Sequence, residues 1–103
     1  MTKYDSMTDD ALRREIAERL RYDVRHELFL FTTVPDWPRD VNAALTLPLP
    51  PMAWWHLEQL PPRVARPGMI WHAAIFGPAQ SAYGDSPARI LCLAWLAMKD
   101  GEE

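Results

Sequence analysis

The apolar positions change their spacing several times along the chain, and each change marks an element. Leu12, Ile16 and Leu20 recur every four residues, Thr8 stands where an N-cap belongs, and Asp9 and Asp10 fall where the helix dipole favours negative charge. This predicts an amphipathic helix. Asp10 with Arg14, Arg14 with Glu18 and Glu15 with Arg19 are opposite charges one turn apart, each pair contributing about 0.2–0.5 kcal/mol, so the charge run reads as a solvated face. Over residues 24–33 the period drops to two, with Val24, Leu28 and Leu30 opposed to Arg25, Glu27, Phe29 and Phe31. A first strand is expected there, ended by Pro35. Asp36 can cap a short following helix with Pro38 in its first turn and Val41, Ala44 and Leu45 as its stripe, until Pro48 stops it.

Residues 52–60 and 69–76 are two further strand candidates, and the short connection between them favours an antiparallel hairpin over a parallel crossover. Alternation places Ala53, Trp55 and Leu57 on one face and Trp54, His56 and Glu58 on the other. Trp71, Ala73 and Ile75 likewise oppose Ile70, His72, Ala74 and Phe76. Both faces carry enough apolar surface to require a cover of helices or of another subunit. The last element has Ser86 as N-cap, Pro87 at the first helical position, an unbroken apolar run over residues 90–98, Lys99 in the last turn and Gly101 beyond. A helix apolar nearly all round is hard to enclose in a small domain. Its exposed side, with Leu93, Trp95 and Leu96, is therefore expected to meet a second copy in a homo-oligomer.

At 103 residues the chain suits one core, so residues 1–103 form a single domain with residues 1–7 as a flexible tail. The class expected is α+β: a small α/β/α sandwich of about three antiparallel strands with three helices. Net charge is -3, and 13 of the 25 charged side chains lie in the first 27 positions, while residues 41–84 hold only Glu58, Arg63 and Arg66. That balance argues against general binding of nucleic-acid backbones, which needs a basic face. The single cysteine, the lack of a signal-peptide pattern and an apolar run about half of the roughly 18 residues that span hydrocarbon make the cytoplasm the expected compartment, with no membrane partner.

The stretch Trp37-Pro38-Arg39-Asp40-Val41-Asn42-Ala43-Ala44, the aromatic strands through Trp54-Trp55 and Trp71, and Asp85-Ser86-Pro87-Ala88-Arg89-Ile90 before an apolar helix together resemble the phage α/β/α ("ABA") sandwich proteins. The resemblance covers most of the chain. It implies the sandwich fold and a phage or prophage accessory role, in a family with no established enzymatic activity. The chain departs from that pattern where Pro48, Pro50 and Pro51 shorten the second helix, and in a hairpin loop rich in proline and arginine.

No phosphate loop, HExxH, nucleophile elbow or paired catalytic carboxylates are present, so no catalytic residue, cofactor or metal is expected. Cys92 lies inside the apolar helix and reads as an inert hydrophobe. His56 and His72 could be neighbours across the hairpin and make a metal site with Glu58, but ordinary hydrogen-bonded strand histidines are the reading preferred. Trp55, Trp71 and Trp95 share faces with other apolar positions and belong to the core. Trp37, beside Arg39 and Asp40, and Trp54, beside His56, are candidates to line a pocket for a planar anionic ligand, since an aromatic ring stacks while guanidinium and helix N-terminal amides hold phosphate. Arg63 and Arg66 on the hairpin loop, His72, and Ser86 with Arg89 at the last helix complete the candidate ligand set. The function expected is non-enzymatic capture of a small nucleotide-type host immune signal. The alternatives are a protein-interaction module that inhibits a host defence complex, as anti-CRISPR proteins do, and a phage structural or housekeeping protein.

Overall fold

The computed structural model describes residues 4–20, 34–77 and 80–102. Among them are three helices, α1 (Asp9–Arg19), α2 (Val41–Ala44) and α3 (Pro87–Glu102), and three strands, β1 (Trp54–Gln59), β2 (Trp71–Phe76) and β3 (Gln80–Gly84). The strands form one antiparallel sheet in the order β1-β2-β3. The fold is thus a small α+β domain with the expected complement of helices and antiparallel strands. The strand expected over residues 24–33 lies outside the described residues.

Local chemistry sets most boundaries. The Thr8 hydroxyl accepts the Ala11 amide at 3.1 Å, and Leu12 and Ile16 bury the apolar stripe of α1. The short α2 is capped by Asp40, whose carboxylate accepts the amides of Asn42 and Ala43, rather than by Asp36. The Asp36 carbonyl instead accepts the amides of Arg39 and Asp40, so Pro38 sits in a turn that precedes the helix. Ser86 caps α3 as expected, accepting the Arg89 amide, and Gly101 is inside the last turn rather than past it.

β3 was not expected. Gln80-Ser81-Ala82-Tyr83-Gly84 is a five-residue edge strand with one apolar side chain, Ala82, packed toward the core, too little to produce visible alternation. Gly77, at φ 114°, turns the chain out of β2, and a Cβ there would meet Ala53 Cβ at 3.3 Å. Gly84 permits close approach of β3 to α3, since a Cβ there would stand 2.6 Å from Ile90 Cγ2.

The core lies around α3. The helix packs on β2, β3, α1 and α2, and Ala73, Ile75, Ala82, Val34, Trp37 and Leu47 belong to the same core cluster. This corrects the expectation for Leu93, Trp95 and Leu96. All three are buried within the chain, and among the described elements α1 and α2 pack on the same helix as the sheet does. Within the expected tail, residues 1–3 lie outside the described residues, while Tyr4 is buried and its hydroxyl donates to Asp100 at 2.6 Å. Arg13, buried at the edge of α1, donates to the carbonyls of Val34 and Pro35 and ties that segment down.

Candidate functional site

The hairpin register decides which polar side chains meet. Trp54 pairs with Phe76, His56 with Ala74, Glu58 with His72, and His72 in turn with Tyr83. Because strand side chains alternate, these residues share the face of the sheet turned away from α3. Trp54, Phe76 and Tyr83 are 59%, 41% and 48% exposed there, whereas Trp55 and Leu57 on the opposite face pack against the core.

The exposed face is a connected row of rings. Trp54 stacks on Phe76 with centroids 5.5 Å apart, Phe76 meets the edge of His56 at 5.7 Å, and His56 lies 5.9 Å from His72. His72 stacks on Tyr83 at 4.5 Å with the planes 21° apart. Ala74 and Ser81, small residues paired across β2 and β3, leave between the rings a groove of about 280 Å³ that His72 and Phe76 wall. Glu58 reaches both imidazoles, with one carboxylate oxygen 3.0 Å from His72 Nδ1 and the other 3.6 Å from His56 Nε2. The hydrogen bond with His72, joined by attraction to His56, holds the Glu58 carboxyl below the usual carboxylate range.

A larger cleft of about 730 Å³ lies where β3 meets the start of α3, with Ser86 and Arg89 in its wall. Its chemistry does not suit an anion. Arg89 is committed to Asp9 at 2.8 Å and to the carbonyls of Asp5 and Met7, and the acidic Asp5 and Asp85 line the same space. Asp85 accepts the Gly68 amide at 3.0 Å.

The candidate ligand residues therefore separate. Trp37 is 2% exposed and belongs to the core, which removes it from any pocket. Arg39 bonds to Asp10 and Asp36 at 2.9 and 3.2 Å and lies 3.7 Å from Asp9, and Asp40 is spent on the cap of α2. Trp54 and His72 are brought onto one face. Arg63 and Arg66 are exposed on the loop that closes the Glu58 and His72 end of the hairpin, with no ion pair among the described residues. Phe76 and Tyr83 are the members missing from the expected ligand set. Phe76 was legible from its alternation with His72; Tyr83 was not, because β3 gave no signal. Cys92 is buried, and burial pushes its thiol pKa up, as an inert side chain requires.

Comparison of the chain with protein-family models, with curated proteins and with solved structures finds no match. Among the described residues, no helix is long and apolar enough to cross a membrane.

Proposed function

We propose that the protein is a non-enzymatic binding protein that holds a planar, nucleobase-bearing small molecule on the exposed face of its sheet. The observation that carries this is the connected row Trp54, Phe76, His56, His72 and Tyr83, its neighbouring ring centroids 4.5–5.9 Å apart and three of its aromatics partly exposed to water. Aromatic surface left exposed on a rigid sheet gains free energy when a flat ligand covers it, and a stacked base contributes about 1–3 kcal/mol. Arg63 and Arg66, at the His72 end of the hairpin, are the cations available to a phosphate. The resemblance to phage proteins supports a counter-defence setting, with the ligand a nucleotide-type host signal held without conversion.

The test is a thermal-shift screen of the purified chain against mononucleotides, cyclic dinucleotides and ADP-ribose derivatives, followed by titration on tryptophan fluorescence. A ligand at a hundred times its Kd adds about 2.7 kcal/mol of apparent stability. Trp54→Ala and Tyr83→Ala should each weaken binding about fivefold or more, while the free chain still unfolds cooperatively and loses only about 0.5–1.5 kcal/mol for one ring stack. A panel without a hit rejects the reading, and a ligand recovered chemically changed replaces it with an enzyme.

A further inference from the structure

His56, Glu58 and His72 converge through elementary strand geometry. A residue and the next but one share a strand face, which puts His56 beside Glu58, and the antiparallel register sets His72 directly across from Glu58. One ligand atom from each of the three lies within 4.8 Å of the others. An ion bound tetrahedrally at about 2.0–2.1 Å needs its ligand atoms about 3.3–3.4 Å apart; one Glu58 oxygen lies 3.0 Å from His72 Nδ1 and the other 3.6 Å from His56 Nε2, each within a few tenths of an ångström of that spacing. Side-chain rotation has to bring the remaining separations, none above 4.8 Å, down to that spacing.

Three further features distinguish this cluster from a chance ion pair. The two carboxylate oxygens address different rings, so the carboxylate occupies the space between two imidazoles, where a cation would be shared. The rings are held before any ligand arrives, His72 by its stack on Tyr83 and His56 by the edge of Phe76. The side chains also differ in access: His72 is 16% exposed, His56 41% and Glu58 48%, so the cluster is anchored on one side and open to water on the other. Three protein ligands with open positions suit an ion that keeps water or takes an added anionic group. Two imidazoles and one carboxylate favour zinc, cobalt, nickel or copper over magnesium or calcium, which prefer all-oxygen sets.

We propose that His56, Glu58 and His72 form a three-ligand, solvent-open site for a divalent first-row transition-metal ion, with Zn²⁺ as its representative. The site stands on these three side chains and does not depend on the nucleotide reading.

The experiment uses the full chain without a metal-binding tag. Co²⁺ titration followed by visible absorption, and Zn²⁺ titration by calorimetry, should both saturate at one ion per chain. His56→Ala and His72→Ala should each weaken Zn²⁺ binding more than tenfold, beyond the lower limit for loss of even an outer-shell partner, and Glu58→Gln should weaken it too. Arg14→Ala, on the exposed face of α1, should leave it unchanged. In the unaltered chain, Zn²⁺ should shift the imidazole proton resonances of His56 and His72 and spare the third histidine, His26. Absence of saturable uptake, undiminished affinity in the His56→Ala/His72→Ala chain, or a resonance shift confined to His26 would each overturn the proposal.

Discussion

Trp37 and Trp54 present similar local signals, each an indole next to charged or polar neighbours, and the fold sends them to opposite environments. Trp37 is sealed into the core, whereas Trp54 stacks on Phe76 in water. Nothing within a few residues of either distinguishes them, because burial depends on what the rest of the chain brings over the ring. Cys92 is the reverse case, since a cysteine inside an unbroken apolar run can be placed from its neighbours alone. It is buried, and its thiol is held in the protonated form. A thiol-specific reagent at pH 8 should therefore modify native Cys92 only as fast as the chain opens, and react at once in denaturant. Stoichiometric labelling of the folded chain within seconds would contradict this placement. The trio His56, Glu58 and His72 lies between these extremes: alternation and an antiparallel hairpin make it legible, while its distances require the register.

At the scale of elements, signals internal to a segment were readable and those that depend on its cover were not. Both faces of β1 and β2 follow from alternation, and α1 and the start of α3 follow from their caps. β3 has too few apolar positions to announce itself. The apolar circumference of α3 was visible in sequence, but periodicity measures how much of a helix is greasy and not what covers it. Among the described elements, α1 and α2 join β2 and β3 in packing on it. Small residues assist it: Ala88, Cys92 and Ala94 are buried along α3, and Gly84 admits Ile90. Leu96, fully buried, separates the core role from the oligomer role. Leu96→Ala should cost about 2–5 kcal/mol in urea unfolding and leave the native mass by light scattering unchanged. An unaltered urea midpoint accompanied by a smaller native mass would return Leu96 to a subunit interface.

Across the whole molecule, two polar clamps align α1 with α3. Near the N-termini Asp9 of α1 binds Arg89 of α3 at 2.8 Å, and near the C-termini Arg19 of α1 binds Asp100 of α3 at 2.6 Å, so the two helices run parallel. The clamps are ten residues apart on α1 and eleven on α3, about 15 and 16 Å of helix rise, so the two can close together. The second clamp also captures the amino-terminal segment, because Tyr4 donates to Asp100 and accepts from Arg19 at 2.6 Å each. Burial first, and then the bond to Asp100, push the Tyr4 phenol up to about 12 from its ordinary value of 10.0, against the pull of Arg19. The sign follows from linkage: the folded chain holds this proton more tightly than the unfolded chain does. Its contribution is therefore complete below pH 10 and is lost as pH rises toward 12, by up to about 2 kcal/mol. Tyr4→Phe removes the ionising group, and it should cost about 1 kcal/mol at neutral pH for the lost hydrogen bonds. The difference in urea stability between the two chains should be constant from pH 7 to pH 9 and shrink above pH 10, since only the unaltered chain loses this term. Stability curves that stay parallel through pH 11 would show that the Tyr4 proton is not coupled to folding.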